Sequence, residues 1–102
     1  MQAVTGYYGL MPGNRDAAWP LMTADYQENH AGGRSGYERF WSAIDAVSVS
    51  DVTASPPDGA RALVTYTYND GRVVDELTAY RFADEGGVLK IADTDVLSSS
   101  TR

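Results

Sequence analysis

The tripeptide Asn69-Asp70-Gly71 lies between two runs of alternating side chains, and no other feature of the sequence restricts the fold as much. Upstream, Ala62, Val64, Tyr66 and Tyr68 alternate with Leu63, Thr65 and Thr67, the period of a half-buried strand. Downstream, Val73 to Ala83 sets Val74, Thr78, Tyr80 and Phe82 against Asp75, Ala79 and Arg81. An Asp-Gly step between such runs predicts a β-hairpin. Glu85-Gly86-Gly87 is a second turn. The strand after it carries Leu89, Ile91, Asp93 and Leu97 on one side and Lys90, Ala92 and Thr94 on the other. Arg61 to Leu97 therefore reads as three consecutive antiparallel strands.

The register follows from the buried face. A two-residue loop pairs Tyr68 with Val73 and sets Tyr66 opposite Asp75. A three-residue loop with Gly71 left-handed pairs Tyr68 with Arg72 and Tyr66 with Val74. Only the second collects Ala62, Val64, Tyr66, Val74, Tyr80 and Phe82 on one face. A slip of one residue would carry every side chain across the sheet, so the bulged loop is expected. Leu89, Ile91 and Asp93 are expected to join that face. Asp93 and Glu76 are then carboxylates on a largely apolar surface.

Taken in order, the chain begins with Val4, Tyr7, Tyr8 and Met11 at helical spacing, which predicts a helix over 3–11 ended by Pro12-Gly13. A second helix is expected from Arg15 to Met22, with Asn14 as its N-cap and Pro20 shortening it. Ala24 to Arg34 is polar and closes on Ala31-Gly32-Gly33, so it reads as a mobile loop. Ser35 with Glu38 three residues on is a capping-box pattern. The helix it opens repeats Tyr37, Phe40, Trp41, Ile44 and Val47. Val47 to Ala54 switches to period two, and Ser55-Pro56-Pro57-Asp58-Gly59 turns into the hairpins. The tail from Ser98 to Arg102 is polar and is expected to fray. The architecture predicted is α+β: three N-terminal helices on one face of a curved four-stranded antiparallel sheet.

At 102 residues the chain holds one domain with one core. The start at Met1-Gln2-Ala3, close to the first expected helix, suits either a complete small protein or a domain cut from a longer one, and the second is expected. Net charge is −6 with no basic run, which argues against nucleic acid or an anionic membrane as the main partner. No cysteine is present, so disulfides, cysteine-based zinc sites and thiol catalysis are excluded. No signal-peptide pattern is visible. No apolar run approaches the about 20 residues of a membrane-spanning helix.

The chemistry-bearing residues allow more than one reading. An isomerase-like site needs a general base in an apolar cone and a donor for the developing oxyanion. Asp93 is the candidate base, and Tyr66 or Tyr80 the candidate donor. The plain alternative is an Asp93 hydrogen-bonded to a tyrosine or a backbone amide. His30 is the single histidine, and its loop placement favours a solvated side chain over an acid–base or metal-binding role. Asp93-Thr94-Asp95 falls far short of a calcium loop. No phosphate-binding glycine loop or nucleophile elbow is present. Neither a metal nor a cofactor is expected. The aromatics are more informative: Tyr7, Tyr8, Trp19, Phe40 and Trp41 on helices, and Tyr66, Tyr68, Tyr80 and Phe82 on strands. Each serves as core packing by default. Buried tyrosine hydroxyls need partners, however. Tyr7, Trp19, Trp41, Tyr66, Tyr80 and Asp93 are the candidate lining of an amphipathic pocket between helices and sheet. On the other sheet face, Leu63, Thr65, Thr67, Ala79 and Arg81 suit either solvent or a homodimer contact.

Tyr7-Tyr8-Gly9-Leu10-Met11-Pro12-Gly13-Asn14 followed by Ala17-Ala18-Trp19 resembles the start of small NTF2-like domains of actinobacteria. The run from Gly33 to Trp41 followed by Val47-Ser48-Val49-Ser50-Asp51-Val52 is similar to their third helix and first strand. Glu85 to Asp93 resembles their last hairpin, although a tryptophan often stands there at the position of Leu89. The arginine-rich, lysine-poor composition suits a GC-rich genome. The resemblance implies a cone-shaped fold. It also implies an extracytoplasmic sensor or binding module, tethered to a membrane-anchored serine/threonine protein kinase, a lipoprotein or another envelope protein. The partner would be a small molecule or a protein. Domains of this kind often dimerise through the outer sheet face. The wider fold includes isomerase- and cyclase-type enzymes, but the hairpin that often carries their acidic base is replaced here by the 27–33 stretch. Three expectations stand: a non-catalytic binding module, a small enzyme using Asp93, and a structural dimerisation domain.

Overall fold

The computed structural model describes residues 2–55 and 58–102. Helix α1 spans Gln2–Gly9 and α2 spans Arg15–Ala18, which runs into a 3-10 turn over Trp19–Leu21. Helices α3 (Ala24–Asn29) and α4 (Gly33–Ser42) follow. Four strands complete the chain: β1 (Ile44–Ser55), β2 (Gly59–Tyr68), β3 (Val73–Glu85) and β4 (Val88–Thr101). They form one antiparallel sheet in the order β1-β2-β3-β4. The fold is α+β, as the sequence predicts. The expected turn at Pro56-Pro57 lies outside the described residues.

The central hairpin takes the bulged register. Tyr66 pairs with Val74 and Ala62 with Thr78. The Tyr68 amide donates to the Arg72 carbonyl at 2.8 Å, and Gly71 has φ +91°, a conformation glycine adopts without steric cost. Ala60, Ala62, Val64, Tyr66, Val74, Tyr80 and Phe82 are all buried on the face turned to the helices. Val4, Tyr7, Tyr8 and Met11 are buried against them, so the i, i+3, i+4, i+7 stripe enters the core, together with Ala18, Met22, Tyr37 and Trp41.

Several expectations are corrected. The helix expected to carry Ile44 and Val47 ends at Ser42, and both residues lie on β1. The stretch read as a loop contains α3, whose N-terminus is capped by Thr23: its hydroxyl accepts from the Tyr26 amide at 3.2 Å. Helix α4 begins at Gly33, not after Ser35, because Gly32 at φ +77° turns the chain into the helix three residues early. Asn14 precedes α2 but its side chain makes no cap, and the helix is only four residues long. The polar tail is paired: Val74 lies opposite Thr101, and the Arg102 amide donates to the Val73 carbonyl at 2.9 Å. The guanidinium of Arg102 holds the Asp75 carboxylate at 2.9 Å and 3.1 Å, and this pulls the Asp75 pKa down. Polar composition does not fray a strand whose neighbour offers unpaired backbone groups.

Strand β4 departs from simple alternation. Phe82 pairs with Ile91 but Arg81 pairs with Asp93, so Ala92 is an extra residue on β4. A second bulge lies at Leu97, since Thr78 pairs with Val96 and Leu77 with Ser98. The first bulge brings Thr94 opposite Tyr80 and sets Asp93 opposite Arg81, away from the inner-face position expected for it. Leu89 keeps the inner-face register opposite Asp84, yet it is exposed near the hairpin tip. Ile91 alone of the three expected residues is buried. Its carbonyl accepts from the Thr23 amide at 3.0 Å, which ties the start of α3 to β4.

Candidate functional site

A cavity of about 290 Å³ lies between the helices and the sheet. The sheet supplies Tyr66, Glu76, Thr78, Tyr80, Ile91, Thr94 and Val96; the helical layer supplies Tyr7, Tyr8, Met22, Tyr26, His30, Ala31, Tyr37, Phe40 and Trp41. Phe40 and Val96 are 39% and 49% exposed, so they mark the side on which the cavity opens. The volume is near the lower end of small-molecule pockets, about 300–1,000 Å³.

Tyrosine hydroxyls tie the cover to the sheet and to itself. Tyr8 on α1 and Tyr80 on β3 share a hydrogen bond of 2.6 Å. Tyr7 on α1 meets Tyr37 on α4 at 3.0 Å, and Tyr26 on α3 meets Thr94 on β4 at 3.0 Å. Burial pushes the phenols of Tyr7, Tyr8, Tyr26, Tyr37 and Tyr66 above their ordinary range, and that of Tyr80 up to about 12. Near neutral pH these groups are uncharged hydroxyls; they donate and accept hydrogen bonds but do not act as bases. Edge-to-face ring contacts continue the lining. Phe40 and Tyr66 have centroids 5.5 Å apart, and Trp41 lies 6.0 Å from Tyr66 in a tilted arrangement.

Of the residues singled out from sequence, Tyr7, Trp41, Tyr66 and Tyr80 line the cavity. Trp19 stands outside the lining, edge-on to Tyr37 at 4.9 Å and beneath the Arg34 guanidinium at 5.4 Å. Asp93 also stands outside it. Its Oδ1 accepts from the Thr94 amide at 3.0 Å and lies 3.3 Å from Nε2 of His30. His30 does reach the cavity, stacked on Tyr26 at 4.8 Å. Glu76 is the carboxylate that lines the space, on the inner face opposite Val64. Its alternation with Val74 and Thr78 placed it on this face from the sequence; no local signal gave it a role. Tyr26 was hidden in the stretch read as a loop, and Tyr37 and Thr94 needed the helix packing and the bulge to be known.

Among the described residues, no group of three or more His, Asp or Glu side chains is placed to hold a metal ion, and no helix is long and apolar enough to cross a membrane. Comparison with protein-family models, with curated proteins and with solved structures finds no match to this chain.

Proposed function

We propose that this chain is a small-molecule-binding module of NTF2-like type, with the helices covering the concave side of the sheet. The observation that carries this reading is the cavity itself: aromatic, open on one side, and lined by uncharged tyrosine hydroxyls. A filled interior would have suited a purely structural domain. The resemblance of the segments 7–14, 33–41 and 85–93 to actinobacterial NTF2-like domains supports an extracytoplasmic sensor role. The module would be tethered to a serine/threonine protein kinase or an envelope protein. Binding is tested by titrating a library of small aromatic and alicyclic compounds against methyl-labelled protein. Shifts confined to the methyls of Met22, Ala31, Ile91 and Val96 are expected. A library that moves none of them would sink the reading.

A second reading rests on the His30–Asp93 pair at the cavity wall. Asp93 next to Nε2 of His30, with tyrosine hydroxyls nearby, is an arrangement a small isomerase or cyclase can use for proton transfer. Under that reading a compound found to bind is also converted, and His30→Gln removes turnover while leaving binding. Bound compounds that all remain unchanged exclude it.

A further inference from the structure

The lining of the cavity is unbalanced in charge. Glu76 stands in it, and no described residue gives its side chain a hydrogen bond or an ion pair. Lysine and arginine are absent from the lining, and the imidazole of His30 is already engaged with Asp93 at 3.3 Å. Most of the neighbouring hydroxyls are engaged with one another. Tyr8 and Tyr80 bond each other, as do Tyr7 and Tyr37, and Tyr26 bonds Thr94. The tyrosines therefore present mainly ring surface to an occupant, and Glu76 is the strongest polar group left without a partner.

An ionised carboxylate accepts hydrogen bonds and cannot donate them. The occupant that completes it is a donor, and a charged donor does so best. Aromatic faces favour the same choice, because the ring quadrupole attracts a cation held within about 6 Å of the centroid. Glu76 follows Val74, the partner of Tyr66, on the inner face of β3, and its carboxylate lines the same cavity as the Tyr66 and Tyr80 rings. An anionic ligand would meet the Glu76 charge with no lysine or arginine in the lining. The net charge of −6 also raises the local concentration of cations around the molecule.

We propose that the cavity binds a small organic ammonium ion, its apolar body among Trp41, Tyr66 and Tyr80 and its cationic head on the Glu76 carboxylate. This rests on the reading of the cavity as a binding site and names the class of molecule it takes.

Three probes with one apolar body separate the charge from the shape: phenethylamine, 2-phenylethanol and 3-phenylpropionate. Each is titrated at neutral pH against the intact chain, with the methyls of Ala31, Ile91 and Val96 as reporters. The amine is expected to bind about tenfold more tightly than the alcohol, and the propionate more weakly than either. In Glu76→Gln the amine falls to the affinity of the alcohol, whose own binding persists and reports an intact site. Asp95→Asn, which removes an exposed carboxylate outside the lining, keeps the preference. Equal binding of amine and alcohol in the native chain overturns the inference, whatever the folding of the variants. So does a preference for the amine that survives Glu76→Gln. Alcohol binding without amine preference leaves the cavity reading standing and removes the ammonium. Three probes that all fail to move the reporters remove both.

Discussion

Across the cavity, β2 and β3 face α1, α3 and α4, and the two sides are held by different forces. The sheet side is a continuous backbone ladder from Gly59 opposite Arg81 to Thr67 opposite Val73. Its inward residues alternate strictly and, apart from Glu76 and Thr78, are apolar or aromatic groups, so each strand is fixed by many equivalent contacts. The helical side has no helix longer than ten residues among those described. Such short helices are marginal alone. To the buried side chains of α1 and α4 they add individual polar devices: the Thr23 cap, the Tyr8–Tyr80, Tyr7–Tyr37 and Tyr26–Thr94 hydroxyl pairs, and the surface network of Arg15, Asp16, Arg34 and Glu38. One side thus sets where Tyr66, Glu76 and Tyr80 stand. The other has fewer and more separable restraints.

The largest effect that tests this contrast is alkaline. The buried phenols of Tyr7, Tyr8, Tyr66 and Tyr80 have raised pKa values in the fold, against an ordinary value of 10.0 in the unfolded chain. Below pH 10 both states keep the proton and these groups add no pH dependence. Above it the unfolded chain loses protons first, so stability falls, by about 1.4 kcal/mol per pH unit for each phenol. Phenolate absorbance and circular dichroism are expected to change together above pH 10. Ionisation of these tyrosines with the ellipticity intact would mean that the hydroxyl pairs are not holding the two sides together.

Phe82→Ala comes next. Phe82 is 3% exposed and stacks on Tyr80 at 6.2 Å, so its removal should cost about 3–5 kcal/mol in denaturant unfolding. The loss should be global, lowering the midpoint without changing the native slope. A loss below about 1 kcal/mol would show a sheet side able to collapse around the gap.

Gly36→Ala is smaller and local. A Cβ at Gly36 would stand 2.7 Å from the Ala31 carbonyl oxygen, closer than real contacts allow. The α3–α4 junction must shift, at a cost of about 1–3 kcal/mol. Amide exchange should accelerate over residues 24–36 and stay unchanged in β2 and β3. Equal acceleration in both would erase the distinction between the two sides.

What could be read beforehand followed the same division. The β2–β3 register was legible because Gly71 and strict alternation act over a few residues, and a one-residue slip would have buried Asp75 and Arg81. Helix α3 was not legible. Ala24-Asp25-Tyr26-Gln27-Glu28-Asn29 carries one large apolar side chain, and its partners lie elsewhere: Thr94 for Tyr26, and the Trp19 carbonyl, which accepts from Gln27 at 2.9 Å. The start of α4 was misread because Ser35 and Glu38 make a plausible cap, whereas Glu38 instead meets Arg15 at 3.3 Å and Arg34 at 3.0 Å.

By itself, then, the sequence determined the α+β class, the central hairpin with its register, and the buried stripe of α1, because these follow from side-chain period and from glycine at a positive φ. Tertiary structure alone decided which carboxylate enters the cavity. A bulge adds one residue to a strand without disturbing the pattern on either side of it, so nothing in the sequence of β4 announces the step at Ala92. That step turns Asp93 toward His30 and puts Thr94 opposite Tyr80. It leaves Glu76, fixed by the regular β2–β3 ladder, as the acid that lines the space.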